Sequence, residues 1–338
     1  AVTYWWPKFG AEARHFPGGR DVSETLSWMT GGGAIPQHQG GVATAKPLPP
    51  LPMPRHPYQD NNGYAGAHGD SYNSGVMPHA GPLGLDPQVM SRMTSALFSG
   101  CSTQHFDNRG RVVTICVGFT GSRLLLLDAA DLSILAAKEL PALAGWYFRM
   151  DQHGQVVLPA GDLSLQVYRV EEASGSPQWV RVAHYDLSSL VPEAKRGIRS
   201  VPMDLVADWH GNWWFGIWAP AIIGYRNGDG NLLVHEFEGE ILENGMAATP
   251  LGIYFVTDQY LYGMRAGPQG PEVFLRFPYD AGGGVNALSK GSGTTPVLLG
   301  EQLIAFGDND SPQPNLLVYR LDDVADEERL VCKMPLFK

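Results

Sequence analysis

Cysteine is scarce in this chain: Cys101, Cys116 and Cys332 are the three in 338 residues. That is too few for a disulfide scaffold, and no Cys-x-x-Cys pair or Cys-x-x-Cys-His run is present, which argues against covalent haem. Basic clusters are equally lacking. Lys and Arg number 24 against 34 Asp and Glu, giving a net charge of −10, and the nearest basic run, Lys195-Arg196-Gly197-Ile198-Arg199, is short and isolated. A nucleic-acid surface or attraction to anionic lipid needs more. No apolar run reaches the length of a membrane span, since the best stretch, from Leu124, is broken by Asp128 and Asp131. A Gly-x-Ser-x-Gly elbow and a phosphate-binding loop are also missing. The charged fraction is only 17%, too low for helices laced with salt bridges to dominate. The chain opens on Ala1 rather than Met, and a removed leader is the expectation, with a periplasmic or secreted setting.

What is abundant is turn chemistry in an apolar context: 41 Gly and 26 Pro beside 44% hydrophobic and 10% aromatic residues. Residues 1–97 form one region. They carry the polyproline-like Pro47-Leu48-Pro49-Pro50-Leu51-Pro52-Met53-Pro54, Gly-rich patches and a short helical pattern at Pro87–Met93. Trp5, Trp6, Phe9, Tyr58, Tyr64 and Tyr72 are too many aromatics for a free tail, so an irregular arm packed on the main body is expected, with a protein partner as its possible target.

From residue 98 to 338 a repeat appears. An apolar strand runs into Asp-x-x-Gly and a β-branched or aromatic strand follows, at Asp107–Gly110, Asp151–Gly154 and Asp208–Gly211, with weaker copies around Gly252 and Gly300. Aspartate caps such a turn and glycine closes it in the left-handed region. Third and fourth strands follow, as in Arg123–Asp128 with Ile134–Ala137, and Leu165–Val170 with Val180–Tyr185. Four strands per unit of about 45 residues is the signature of a propeller blade. The expected fold is all-β: a β-propeller of at least five four-stranded antiparallel blades.

Leu124–Asp128 with Leu132–Ala136 resembles the strand pair of lactonase-like and quinoprotein-like propellers. Gly291-Ser292-Gly293-Thr294-Thr295-Pro296, Phe306–Pro312 and Val318-Tyr319-Arg320 resemble a family of uncharacterised bacterial extracytoplasmic propellers. The resemblance implies fold and compartment and carries over no catalytic residue.

Several residue groups are candidates for chemistry. Asn244, Asp308, Asn309 and Asp310 lie where inner strand ends converge, and their oxygens suit a hard cation such as calcium, which would polarise a carbonyl in a lactonase or esterase. A side-chain-capped turn explains the Asp-Asn-Asp-Ser-Pro stretch as well. His56, His68, His79 and His105, with Asp60 and Asp70, form a loose set for a transition metal or for turns, and His68 is a distant candidate for a general base. Trp209, Trp213, Trp214 and Trp218 serve either packing between blades or stacking on a flat ligand such as a quinone, with Trp213 and Trp214 on opposite strand faces. Three functions compete: a binding or scaffold module, such as a subunit of an envelope complex; a calcium-dependent hydrolase; and a quinone-dependent dehydrogenase. No catalytic constellation stands out, which favours the first.

The cysteines allow a sharper expectation. If residues 107–110 form the hairpin loop, Phe106 faces Arg111 and, counting outward, Cys101 faces Cys116 at a separation a disulfide can span. A three-residue loop with a glycine bulge would shift the register by one and separate them. Two reduced, buried thiols are the alternative. Cys332 is left over.

Overall fold

The computed structural model describes residues 55–60, 68–76, 99–118, 121–141, 143–145, 147–173, 175–281, 291–292, 294–310 and 313–336. Their strands form five four-stranded antiparallel sheets, each an up-and-down meander. Blade A holds β1 (Ser99–Phe106), β2 (Val112–Gly118), β3 (Ser122–Leu127) and β4 (Ile134–Leu140). Blade B holds β5 (Arg149–Met150), β6 (Val156–Ala160), β7 (Ser164–Ala173) and β8 (Ser176–Asp186). Blade C is β9 (Pro202–Ala207), β10 (Trp213–Ile217), β11 (Ala221–Arg226) and β12 (Leu232–Phe237). Blade D is β13 (Ala247–Thr249), β14 (Gly252–Val256), β15 (Tyr260–Gly267) and β16 (Gly270–Pro278). Blade E is β17 (Val297–Leu299), β18 (Leu303–Gly307), β19 (Asn315–Arg320) and β20 (Leu330–Pro335), with a one-turn helix α1 (Asp326–Arg329) before its last strand. The helical pattern at 87–93 lies outside the described residues.

Strand order sets burial. The inner strands β5, β9 and β13 are buried throughout, whereas β20 is exposed along its whole length and β8 along most of it. Alternation puts successive side chains on opposite sheet faces, so each blade packs against both neighbours. Val113, Ile115, Leu124 and Leu126 of blade A meet Val156, Leu158 and Tyr168 of blade B. Val157 and Leu165 meet Leu205 and Phe215 of blade C. Val206 and Trp214 meet Ile253 and Phe255 of blade D. Tyr254 and Leu261 meet Ile304 and Phe306 of blade E. Four apolar clusters thus join five successive blades.

The three Asp-x-x-Gly turns are equivalent in detail. In each, the Asp N–H donates to the carbonyl four residues on and the Gly N–H donates to the Asp carbonyl. The Asp Oδ1 accepts from the N–H groups two and four residues later: Arg109 and Arg111, His153 and Gln155, His210 and Asn212. Gly110, Gly154 and Gly211 hold φ of 75°, 72° and 87°, where any side chain would be strained. Asp208 also accepts from Asn212 Nδ2 and the buried Trp214 Nε1, both at 2.8 Å. Asp208→Ala leaves that indole donor without a partner and should cost about 2 kcal/mol, read as a lowered denaturation midpoint; Asp107→Ala, which loses an ion pair with Arg111 but strands no fully buried donor, should cost about half as much.

The first hairpin reaches the expected disulfide by a different path. Its loop is the three-residue form: Asp107 and Arg111 close it, and Phe106 pairs with Val112, one residue away from the counted register. A β-bulge, in which residues 102 and 103 stand opposite Ile115 alone, then restores the register, so that Cys101 pairs with Cys116 and the two are bonded. A bulge inserts one residue into one strand, which is the correction the glycine loop requires. The bridge closes a 15-residue separation. Its removal, by reduction or as C101S/C116S, should lower stability by about 3 kcal/mol. Thiol counting of unfolded, unreduced protein should find one free group, Cys332, which is exposed.

Candidate functional site

The propeller axis is occupied by the chain's own N-terminal region. Residues 68–76 lie along the inner strands of blades D and E, where Ala248 and Leu298 donate their N–H groups to the carbonyls of Ser71 and Tyr72. Asn73 Nδ2 bridges the carbonyls of Met246 and Pro296 at 3.0 and 3.1 Å. Residues 55–60 close one end against blades B and C. Gln59 bridges to Asp151, and its Oε1 accepts from the Ala207 N–H. Two parts of the 1–97 arm therefore pack inside the propeller; its remainder lies outside the described residues.

Arg149 holds this plug. It is fully buried on β5, and each guanidinium nitrogen is used. Nε donates to the Leu205 carbonyl at 3.1 Å. Nη1 donates to the carbonyls of His68 and Asp70. Nη2 donates to Asn73 Oδ1 at 3.0 Å and the Met246 carbonyl at 3.2 Å. Its counter-charge is Asp204 on β9, also fully buried, with Oδ2 3.6 Å from Nη2 and accepting the Met246 N–H at 2.7 Å. Asp204 Oδ1 meets no hydrogen-bond partner among the described residues. One cation thereby joins blades B, C and D to the arm. Sequence reasoning passed over both residues; the available signal was a lone charge inside an otherwise apolar inner strand, Phe148-Arg149-Met150 and Met203-Asp204-Leu205.

The histidines surround this centre singly. His56 Nδ1 accepts from the N–H groups of Tyr58 and Gln59, and Nε2 meets the Ala207 carbonyl at 3.0 Å. Burial lowers its pKa to about 4. His105, against the Phe148 carbonyl, is lowered to about 3 by burial and by Arg149. His68 packs against Tyr147 with centroids 4.1 Å apart and planes tilted by 35°, and its Nδ1 lies 3.3 Å from Arg149 Nη2; burial and that cation hold its pKa well below the ordinary value. Asp70 caps a turn through Tyr72 and Ser74. His79 lies outside the described residues. Among the described residues no three His, Cys, Asp or Glu side chains form a group able to hold a metal.

The oxygen set around blade E is engaged locally. Asp308 is buried and accepts from the Asp310 and Asn315 N–H groups and from Asn315 Nδ2, a capped turn. Asn244 donates to the Ser292 carbonyl and Asn309 to that of Gly291, so these two converge on one short segment. Asp310 receives Lys333 at 3.4 Å. The tryptophans divide among three places. Trp214 packs on Tyr225 in the C–D interface, Trp213 lies in the B–C interface, and Trp209 sits between His56 and Tyr72. They do not share one slot.

One cavity, of about 240 Å³, opens between blades D and E. Its walls are Phe277, Pro278, Tyr279, Leu317, Tyr319 and Leu330, with Asp280 and Lys333 at its polar margin.

No helix among the described residues is long and apolar enough to cross a membrane. No protein-family model matches the sequence, and no curated protein does either. Similar solved structures include selenomethionine-substituted virginiamycin B lyase from Staphylococcus aureus, at 12% identity and a TM-score of 0.42 over 66% of this chain and 70% of that one. A protein of unknown function from Bacteroides caccae gives 10% and 0.41, over 71% and 83%. The WD40 domain of SCAP from fission yeast gives 9% and 0.38, over 66% and 56%. Likenesses this distant carry nothing about activity, and the propeller assignment rests on the five radial sheets of the chain itself.

Proposed function

We propose that this chain is an extracytoplasmic binding or scaffold propeller that works through its outer surface. The observation that carries the reading is the occupied axis: residues 55–60 and 68–76 bond to the inner-strand side of blades B to E and are fixed there by a buried arginine. Among the described residues, the outermost strands of the blades present exposed apolar side chains. Ile134, Val182, Val234, Phe274 and Leu330 put one large apolar side chain or more on each outermost strand, and β20 concentrates them, with Leu330, Val331 and Met334 42–48% exposed. An unpaired strand edge bearing apolar side chains is a ready surface for a partner chain. The bonded Cys101–Cys116 pair supports an oxidising compartment.

The test is site-specific photo-crosslinking in the native compartment, with the reactive group at Val331 on β20 and at Val234 on β12. A discrete crosslinked species from Val331 and none from Val234 supports the reading. Absence of any adduct at both positions, or stoichiometric calcium or a quinone chromophore in protein purified from that compartment, would overturn it in favour of chemistry inside the propeller.

A further inference from the structure

The isolated basic run of the sequence, Lys195–Arg199, lies on the connection from β8 to β9, where residues 192–199 are all exposed. Ile198 is 70% exposed, more than any other large apolar side chain among the described residues. The turn that carries it is nonetheless fixed. The Gly197 N–H donates to Ser200 Oγ at 3.0 Å, and the Ser200 N–H donates back to the Gly197 carbonyl. Ser200 is buried and its hydroxyl donates to the Ala219 carbonyl, while the Ala219 N–H donates to the Arg199 carbonyl. A built turn thus holds Ile198 out to solvent, and an apolar group presented in a fixed position loses little freedom on being covered.

The cations beside it differ in what they have left to offer. Lys195 lies 3.0 Å from Glu236. Arg196 donates to the carbonyls of Val191 and Ser188 at 3.0 and 2.7 Å. The Arg199 guanidinium has no such engagement: it lies over the Trp218 ring, 5.0 Å from the centroid, and makes no hydrogen bond or ion pair with any described residue. Stacking orients the guanidinium plane and leaves its donors free. Trp218 Nε1 is buried and likewise has no acceptor among the described residues. Arginine and indole N–H groups can only donate. What this spot lacks is an acceptor, and a carboxylate supplies one to the accessible guanidinium with the opposite charge.

The nature of the occupant follows from charge and shape. The turn projects rather than encloses, which suits a protein surface better than a small molecule. An anionic membrane gains with each free cation, and here two of the three are already engaged. A second copy of this chain would bring another net charge of −10 against the first, which opposes self-association.

We infer that the Lys195–Arg199 turn docks a protein partner distinct from this chain, with a carboxylate of that partner on Arg199 and apolar side chains of that partner over Ile198. This adds a second surface to the binding reading and rests on it. The turn leads into blade C, apart from the β20 edge of blade E, so the two surfaces are tested separately.

The test puts benzoylphenylalanine in place of Gly197, where an added side chain meets nothing within 4 Å, in the full chain in its native compartment. The crosslinked peptide is then sequenced by mass spectrometry. The expected product is one adduct to another protein, at a segment carrying Asp or Glu. Arg199→Gln and Ile198→Ser should each cut its yield about tenfold, while Lys195→Gln, whose ammonium is already paired, should leave it within about twofold. Arg199→Glu should abolish the adduct, and a lysine in place of the crosslinked carboxylate should restore it. All three positions are exposed, so the variants should keep the parent's thermal midpoint by circular dichroism. No adduct, an adduct to a second copy of this chain, flotation of the protein with phosphatidylglycerol vesicles, equal sensitivity to Lys195→Gln and Arg199→Gln, or failure of the charge exchange would each overturn the assignment. An adduct from Val331 beside any of these results leaves the binding reading standing; no adduct from either position sinks both.

Discussion

Replacing Arg149 by methionine should lower the unfolding free energy by about 3–5 kcal/mol, the range for leaving a buried charge without its partner. Asp204 would lose the cation beside it while remaining fully buried, with Oδ1 already without a partner among the described residues. The carbonyls of His68, Asp70, Leu205 and Met246 would lose their donors together. Methionine fills much of the same volume, so the loss would report charge and hydrogen bonding rather than a cavity. Two readouts separate a central pin from an ordinary core residue. Amide exchange at Ala248 and Leu298, whose N–H groups bond to Ser71 and Tyr72 of the plug, should speed up more than exchange at blade positions such as Val156. The double variant R149M/D204N should also recover part of the loss, because the orphaned charge goes with the arginine. A loss below about 1 kcal/mol would mean that the plug is held elsewhere.

The first three blades were legible because they repeat a local device. Asp107, Asp151 and Asp208 satisfy neighbouring N–H groups within four residues, so turn, cap and glycine are visible in a window of five. Alternation along β10 likewise placed Trp213 and Trp214 in different interfaces. The disulfide was legible in outcome but not in route: counting assumed a four-residue loop, whereas a glycine loop and a compensating bulge shifted the register twice. The axis was not legible. Arg149 finds its acceptors 79 and 97 residues away in Asp70 and Met246, and Asn73 reaches 223 residues to Pro296. Most of those acceptors are backbone carbonyls, which leave no trace in the identity of the residue. Polar side chains in a Gly- and Asn-rich arm read as solvated turns, and only folding shows them to be interior. The D–E cavity was hidden for a related reason, since its walls come from β16, β19 and β20, each of which reads as an unexceptional strand.

Acidification should destabilise the protein well before its carboxylates titrate, and the cause is again the axis. In the unfolded chain a histidine takes up its proton near pH 6.5. In the folded protein His56 waits until about pH 4 and His105 until about pH 3. The geometry explains the first: His56 Nδ1 accepts two backbone N–H groups while Nε2 donates to Ala207, so the neutral tautomer is the one that fits and a second proton would displace Tyr58 and Gln59. Below pH 6.5 the unfolded state therefore binds more protons than the folded one, and stability must fall as pH falls. The window runs from about 6.5 down to the folded values near 4 and 3, and above 6.5 these residues contribute no slope. Each histidine supplies up to about 1.4 kcal/mol per pH unit inside its window. His68, held low by burial and Arg149, acts in the same direction. Asp204 and Asp151, pushed up by burial, take up protons earlier in the folded state and oppose the trend at its acid end. Urea unfolding at half-unit steps from pH 7.5 to 4.5 should give a flat limb and then a descent beginning near 6.5. His105→Leu should flatten that descent by about one proton's worth without moving its onset. Histidine proton resonances of the folded protein supply the direct check: those of His56 and His105 should not move between pH 7.5 and 5.5. A resonance of either that titrates near 6.5 would show that the plug admits a charged imidazole, and the acid descent would then need another origin.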